Sequence, residues 1–282
     1  MGTDEVPAEI PHDVPTSARV YGWSLGSKDN YEVDRQFALR SLPVFPEFVD
    51  ITRENRLFLY RAVRYLVQEA GIRQFLDMGC GLPTDQNVHQ VAQKFAPDAR
   101  VLYVDIDPIV LAHARALLAG DGSTVVITAD MRDQAAILEH AATKRLIDFD
   151  EPLAVLFLSI GHHLLDADDP PGVLHHVIDR AVPGSHLAFS QVVCDDPERR
   201  AEVETTANSA GMPWKGRGRA DVDALFRSDL EPVEPGLVDV VNWRPDPDQP
   251  PLAPVPEELL PYVGASKMGR DLTEYGGILR KT

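Results

Sequence analysis

Three aspartates stand at or near the ends of short apolar runs: Asp77 in QFLD, Asp105 in RVLYVD and Asp130 in TVVITAD. A carboxylate so placed can take a proton, hold a cation or accept hydrogen bonds from a pair of hydroxyls. Asp77 leads into MGCGLPT, which sets Gly79 and Gly81 beside the first of them. Two glycines at that spacing open a nucleotide-binding turn, yet where GxGxxG has its third glycine this chain has Thr84, preceded by Pro83.

The misfit bears on the ligand. A dinucleotide sets its pyrophosphate against a helix N-terminus. Here the spacing predicts a helix beginning Pro83, Thr84, Asp85, so Asp85 and Asp77 would both turn negative charge on that group. The same acids suit a cationic ligand without phosphate, whose amino group is drawn to a carboxylate while the glycines let backbone pass close. S-adenosylmethionine, with an α-ammonium and a sulfonium, is such a ligand. Asp105 is then placed to accept both ribose hydroxyls, with Ile106 next to it; Asp107 shares that role or caps the helix that Pro108 begins. Any one strand-end aspartate can be a helix cap and nothing more. Three in succession form a more specific pattern than the loop alone.

The elements that must carry these residues follow from periodicity. From residue 73 onward short apolar runs alternate with longer amphipathic stretches, the pattern of βαβ units and a parallel sheet. Strands are predicted at RQFLDM, RVLYVD, TVVITAD, LAVLFLSI and HLAFSQVV, and helices at DQNVHQVAQKFA, PIVLAHARALLAG, MRDQAAILEHAA and PGVLHHVIDRAV. Beyond Val193 come an acidic helical stretch, the segment WKGRGRA, the strand-like GLVDVVNW, a proline-rich connection and YGGILRKT, preferred as the last strand. The alternating Lys215, Arg217 and Arg219 of WKGRGRA read either as a solvated loop or as a flap that meets an anionic substrate. Upstream, helices are predicted over 16–25, 30–42 and 46–70, with Asp29 capping the second.

Composition narrows the partners. A formal charge of −17 over 282 residues repels phosphate backbones and argues against nucleic acid. No apolar run approaches the roughly 20 residues of a membrane span, and the N-terminus is acidic and proline-rich where a secretory signal would be basic and then apolar. Cys80 and Cys194 do not suggest a disulfide framework, and no Cys or His pair has metal-ligand spacing. A cytoplasmic protein with a small-molecule partner, no metal and an oligomeric state left open is expected.

At this point the residues resemble the class I S-adenosylmethionine-dependent methyltransferases, whose first motif [DE]xGxGxG is met by Asp77, Gly79 and Gly81 but lacks its last glycine. More narrowly, TSARVYGWSLGSKDNYEVDR, TRENRLFLYRAVRYLVQEAGIRQFLD and GLPTDQNVHQVAQKFAPDARVLYVDIDPIVLAHARALL are similar to a family of actinobacterial proteins classed as S-adenosyl methyltransferases, in which GLPT is typical. The resemblance implies an α/β, Rossmann-like class I fold: a mostly parallel seven-stranded sheet with helices on both faces and an N-terminal helical cap. Residues 1–70 would form tail and cap, and 71–282 the cofactor-binding domain. It further implies Asp130 at the adenine amino group with Met131 beside the ring, Ser159 on the cofactor side of the fourth strand end, and Tyr21 against the cofactor. Lys28, Asp29 and Asn30 would belong to a lid or substrate contact.

Methyl transfer from a sulfonium needs chiefly alignment, sometimes with a base for the acceptor's proton. In LSIGHHLLDADD the resemblance places His162 at the methyl group as that base, with His163 pointing elsewhere toward substrate or lid. A structural histidine is the competing account. Two rival functions remain at this level: a non-catalytic S-adenosylmethionine-binding protein, and an NAD-dependent oxidoreductase, against which the acidic loop counts.

Overall fold

The computed structural model describes residues 12–110, 112, 122–269 and 271–282. Five parallel strands form its frame: β1 (Gln74–Met78), β2 (Arg100–Asp105), β3 (Thr124–Thr128), β4 (Ala154–Phe157) and β5 (His186–Cys194). β1, β4 and β5 are buried along their whole length and β2 from its second residue, as strands covered on both faces must be, while β3 at the sheet edge buries only Ile127. The long last strand β8 (Leu272–Lys281) lies antiparallel to β5 over nine residue pairs and also pairs with β6 (Leu230–Pro232) and β7 (Val238–Asp239). The order is β3-β2-β1-β4-β5-β8-β6, with β7 on β8. The sheet thus has eight strands where seven were expected. The addition is the three-residue β6, which no predicted strand covered; GLVDVVNW supplies only the two-residue β7 and then turns so that Trp243 packs edge-on against Phe58 and Tyr65.

Helices α1 (Ser17–Ser24), α2 (Glu32–Ser41) and α3 (Phe48–Gln68) precede the sheet. Only α1 and α2 form a cap. The apolar stripe of α3, with Phe58, Val63 and Leu66, belongs to the core shared with β1, β2 and β4. Its arginines hold the proline-rich connection in place: Arg61 donates to the carbonyls of Val240 and Trp243, Arg53 to that of Ala253, and Arg64 pairs with Asp246. A segment lacking regular hydrogen bonds of its own thereby satisfies its backbone.

Several boundaries differ from expectation. Tyr31, not Asp29, precedes α2, and its N–H donates to the carboxylate of Asp34. The helix after the glycine loop, α4 (Val88–Phe95), begins beyond the predicted Pro83–Asp85 because Asn87 caps it and accepts from the Thr84 N–H, leaving Asp85 exposed in the turn. MRDQAAILEHAA divides into α5 (Gln134–Glu139) and α6 (Ala141–Leu146), with His140 accepting from the Ala142 N–H at the break. α7 (Pro170–Arg180) and α8 (Pro197–Ser209) form as expected. The predicted PIVLAHARALLAG helix is described through Val110 and at Ala112; the rest of it lies outside the described residues. Among the described residues no helix is long and apolar enough to cross a membrane.

Candidate cofactor and acceptor site

The ends of β1, β2, β3 and β4 open into one cleft of about 470 Å³. Gly79 has φ +68, and a Cβ there would meet the Ile160 side chain at 2.7 Å, so the turn requires glycine twice over. Gly81 has φ +67 but faces open space, since a Cβ would find nothing within 4 Å. That emptiness lies on the cleft wall.

Each predicted acid reaches this cleft in a different state. Asp77 is 5% exposed and accepts no hydrogen bond among the described residues. Burial pushes its carboxyl up to about 7, opposed by the charge of Arg56 and reinforced by Asp105. Asp105 accepts from the Gly81 N–H at 2.7 Å and the Asp107 N–H at 2.9 Å, which locks the first loop to the second strand end. Burial raises its pKa against those two bonds. Because a carboxylate has about four acceptor sites, this locking leaves capacity for hydroxyls. Asp107 takes the capping alternative, accepting from the Ile109 N–H, and also receives the Thr16 hydroxyl, which docks α1. Asp130 is held by Arg132 through both carboxylate oxygens, and that pairing lowers its pKa. Met131 lines the cleft, and Ile106, 61% exposed, offers a bare apolar face at its lip.

Tyr21 and Ser159 also line the cleft, and both belong to a buried polar cluster. The Tyr21 hydroxyl donates to the Thr52 carbonyl and accepts from Asn55 Nδ2, while burial pushes its pKa up to about 12. Ser190 donates to Asn55 Oδ1 and accepts from the Ser159 N–H. The Ser159 hydroxyl donates to Glu274 Oε2 at 3.3 Å. Glu274 on β8 is fully buried, its Oε1 has no partner among the described residues, and burial pushes its carboxyl up to about 8. Ser159 sits at φ +54, a conformation that a non-glycine residue holds only when its surroundings dictate it.

The two histidines line different cavities. His163 lines the cleft; its Nδ1 lies 2.6 Å from the Pro213 carbonyl and its Nε2 2.9 Å from the Ser17 hydroxyl. A carbonyl can only accept, so the Nδ1 carries the proton and Nε2 accepts from Ser17. His162 is instead 3% exposed, stacked at 3.9 Å on Trp214, with Nδ1 accepting from the Val192 N–H. Burial, then the neighbouring His163 and Arg217, hold its pKa well below the usual imidazole range. It lines a second, smaller cavity of about 70 Å³ that shares Ser17, Tyr21, Ser159 and Met212 with the cleft.

Lys28, Asp29 and Asn30 line neither cavity. The polar density around them serves the cap itself: Asn30 accepts from Arg35, and buried Asp34 pairs with buried Arg19 at 2.9 Å while accepting from the Thr16 and Tyr31 N–H groups. The basic residues of WKGRGRA are all engaged in ion pairs or carbonyl contacts, Arg217 buried and Lys215 and Arg219 about a third exposed. Arg217 donates to the Gly161 and Leu164 carbonyls, Arg219 pairs with Asp195 and Asp239, and Lys215 pairs with Asp166. Sequence reasoning missed Ser17, Asn55, Arg56 and Glu274. Three of them carried a signal, Asn55 and Arg56 as polar residues buried on α3 and Glu274 as the one acid inside β8.

Residues 3–282 match the S-adenosyl methyltransferase family. Two crystal structures align over 97% of the chain with a TM-score of 0.83: a provisionally named methyltransferase from Thermobifida fusca, 40% identical and covered over 97% of its length, and a DUF574 family protein from Streptomyces avermitilis, 34% identical and covered over 100%. No curated protein matches the sequence.

Proposed function

Given that the chain belongs to the S-adenosyl methyltransferase family, we propose that its large cleft holds S-adenosylmethionine by the strand-end aspartates and presents it to a small-molecule acceptor. The enzyme is a methyltransferase with that cofactor, which supplies a methyl group on a cationic sulfur for in-line displacement. The observation that carries the assignment of residues is Asp77, a buried carboxyl on the cleft wall that accepts no hydrogen bond among the described residues. Such a group calls for a cation, and the α-ammonium is one.

The other residues fit the remainder of the molecule. Asp105 has acceptor capacity for the ribose, the open side of Gly81 admits close approach, and Ile106 and Met131 offer apolar surface for a base. Asp130, paired with Arg132, retains acceptor sites for the adenine amino group. A cleft of this size lies in the ordinary range of small-molecule sites, roughly 300–1,000 Å³. For an acceptor that must lose a proton, the receiving group is His163 Nε2, reached through the Ser17 hydroxyl; His162 lines the smaller cavity, but its Nδ1 already accepts from the Val192 N–H and its Nε2 carries the proton. The unpaired thiols of Cys80 and Cys194 favour a reducing, cytoplasmic setting.

Calorimetric titration in buffers of different ionisation enthalpy tests the role of Asp77. With a carboxyl near pKa 7 in the free protein, an incoming ammonium favours the ionised form and expels the proton. S-adenosylmethionine and S-adenosylhomocysteine should each release about half a proton at pH 7, and their affinity should rise between pH 5.5 and 7. 5′-Methylthioadenosine, which lacks the amino-acid portion, should release none. Equal proton release for all three ligands, or none for any, removes Asp77 from the ammonium site.

A further inference from the structure

The smaller cavity lies between the cap and the sheet, under α1 and α2 on one side and α8 and Trp214 on the other. Among the described residues its wall contains no Asp, Glu, Lys or Arg, and its one histidine is His162. Most of it is apolar, with Phe37, Leu42, Phe45, Phe48 and Trp214 the largest contributors. Six hydroxyls reach it, and every one has its proton engaged elsewhere. Tyr21 donates to the Thr52 carbonyl, Ser41 to that of Phe37, Thr52 to that of Phe48 and Thr206 to that of Glu202, while Ser17 donates to His163 and Ser159 to Glu274. An anion entering the chamber would lose its hydration and find no Lys, no Arg and no hydroxyl proton; the side-chain donors left on the wall are the ring N–H groups of His162 and Trp214, neither of which carries a charge. A cation would find no carboxylate on the wall.

Resting on the methyltransferase reading above, we infer that this chamber is the acceptor site, and that the methyl acceptor is an uncharged molecule that buries a small branched-alkyl group in it. Position supports the assignment, because Ser17, Tyr21, Ser159 and Met212 line both the chamber and the cofactor cleft. A molecule seated in the chamber can therefore present its reacting atom across that shared wall. The strained backbone of Ser159 lies at the same junction. Size sets the group: an apolar cavity of about 150 Å³ stays dry and accepts benzene, so one of about 70 Å³ suits a fragment about half as large, of isopropyl or isobutyl dimensions.

The test uses the methyl resonance of Met212, on the shared wall, in full-length protein labelled with 13C-methyl methionine and assigned through Met212→Leu. Isobutanol, isobutyrate and isobutylammonium are titrated with and without saturating S-adenosylhomocysteine. Isobutanol should shift the resonance saturably, and the two charged probes should bind at least tenfold more weakly. Ala207→Leu on α8 and Ala38→Leu on α2 fill the chamber from opposite sides, and each should abolish the isobutanol response while S-adenosylhomocysteine affinity is retained. Charged probes that bind equally well, or both filled variants responding like the parent, would overturn the proposal. If S-adenosylhomocysteine fails to bind while isobutanol still seats in the chamber, the residue roles assigned to the cleft fall, and with them the acceptor role of the chamber. If it binds and isobutanol is silent, the chamber assignment alone falls.

Discussion

The two cavities meet at one wall and use opposite physics. The cofactor cleft carries four aspartates and two arginines, and its acids differ in state: Asp77 accepting no hydrogen bond among the described residues, Asp105 locked to two backbone N–H groups, Asp130 held by an arginine. Among the described residues the chamber beside it has no such charge, and its hydroxyl protons are all committed. A cleft of that kind recognises charge and hydroxyl pattern, while the chamber recognises shape and the absence of charge. Between them lies the cluster of Tyr21, Asn55, Ser190, Ser159 and Glu274, which keeps a polar wall rigid against an apolar space.

Titrating that wall should give the largest effect. The Glu274 carboxyl is pushed up to about 8 by burial, from an ordinary value of 4.5. Between those pH values the folded protein retains a proton that the unfolded chain has lost, so stability is greatest below 4.5 and falls as pH rises toward 8. The span is on the order of 4 kcal/mol. Glu274→Gln keeps the shape without the titration, and urea denaturation at pH 5 and pH 8 should show a smaller loss than in the parent. Asp77 contributes a slope of the same sign to both proteins, so their difference reports Glu274 alone. Equal pH dependence in parent and variant would mean that Glu274 is ionised within the wall, and the contrast between polar wall and neutral chamber would fail.

Asp105→Ala should come next. It removes the acceptor of the Gly81 and Asp107 N–H groups together with the proposed ribose contact. At about 1.5–3 kcal/mol for a hydrogen bond to a charged group, S-adenosylhomocysteine affinity should fall on the order of 100-fold. The isobutanol response of the chamber should persist, because no chamber residue bonds to Asp105. Loss of both responses together would show that the two regions are not separable.

How much of this contrast could be read from the sequence depends on the range of the interactions. The strands and their acids were readable because apolar alternation and strand-end position are local properties, and β2 was met at both ends, Arg100–Asp105. Asn87 was less readable: its cap competes with the helix start suggested by Pro83 to Asp85 and wins through bonds to Thr84, Gln90 and Arg56. The division of labour between His162 and His163 was not readable, since it is decided by Trp214, Pro213 and Ser17, all distant in sequence. The chamber was invisible for the same reason. Its wall gathers residues from the cap, α3, β5, α8 and the Trp214 segment, and none of these carries a signature by itself.

The smallest expected effect concerns Lys28 and Asp29, whose polar character suggested a lid over the ligand. Neither lines the cleft or the chamber, and among the described residues the Asp29 N–H donates to Ser27 Oγ while Asn30 bonds to Arg35 and the Ser27 carbonyl. Surface substitutions away from a site usually stay within about 0.5 kcal/mol, so Lys28→Ala and Asp29→Ala should each leave S-adenosylhomocysteine affinity within about threefold of the parent. A tenfold loss in either variant, with an unchanged melting temperature, would mean that the cap moves onto the ligand when it binds. The cleft would then owe part of its charge recognition to α1 and α2, and the boundary between the two regions would lie in the cap rather than at the Tyr21–Ser159 wall.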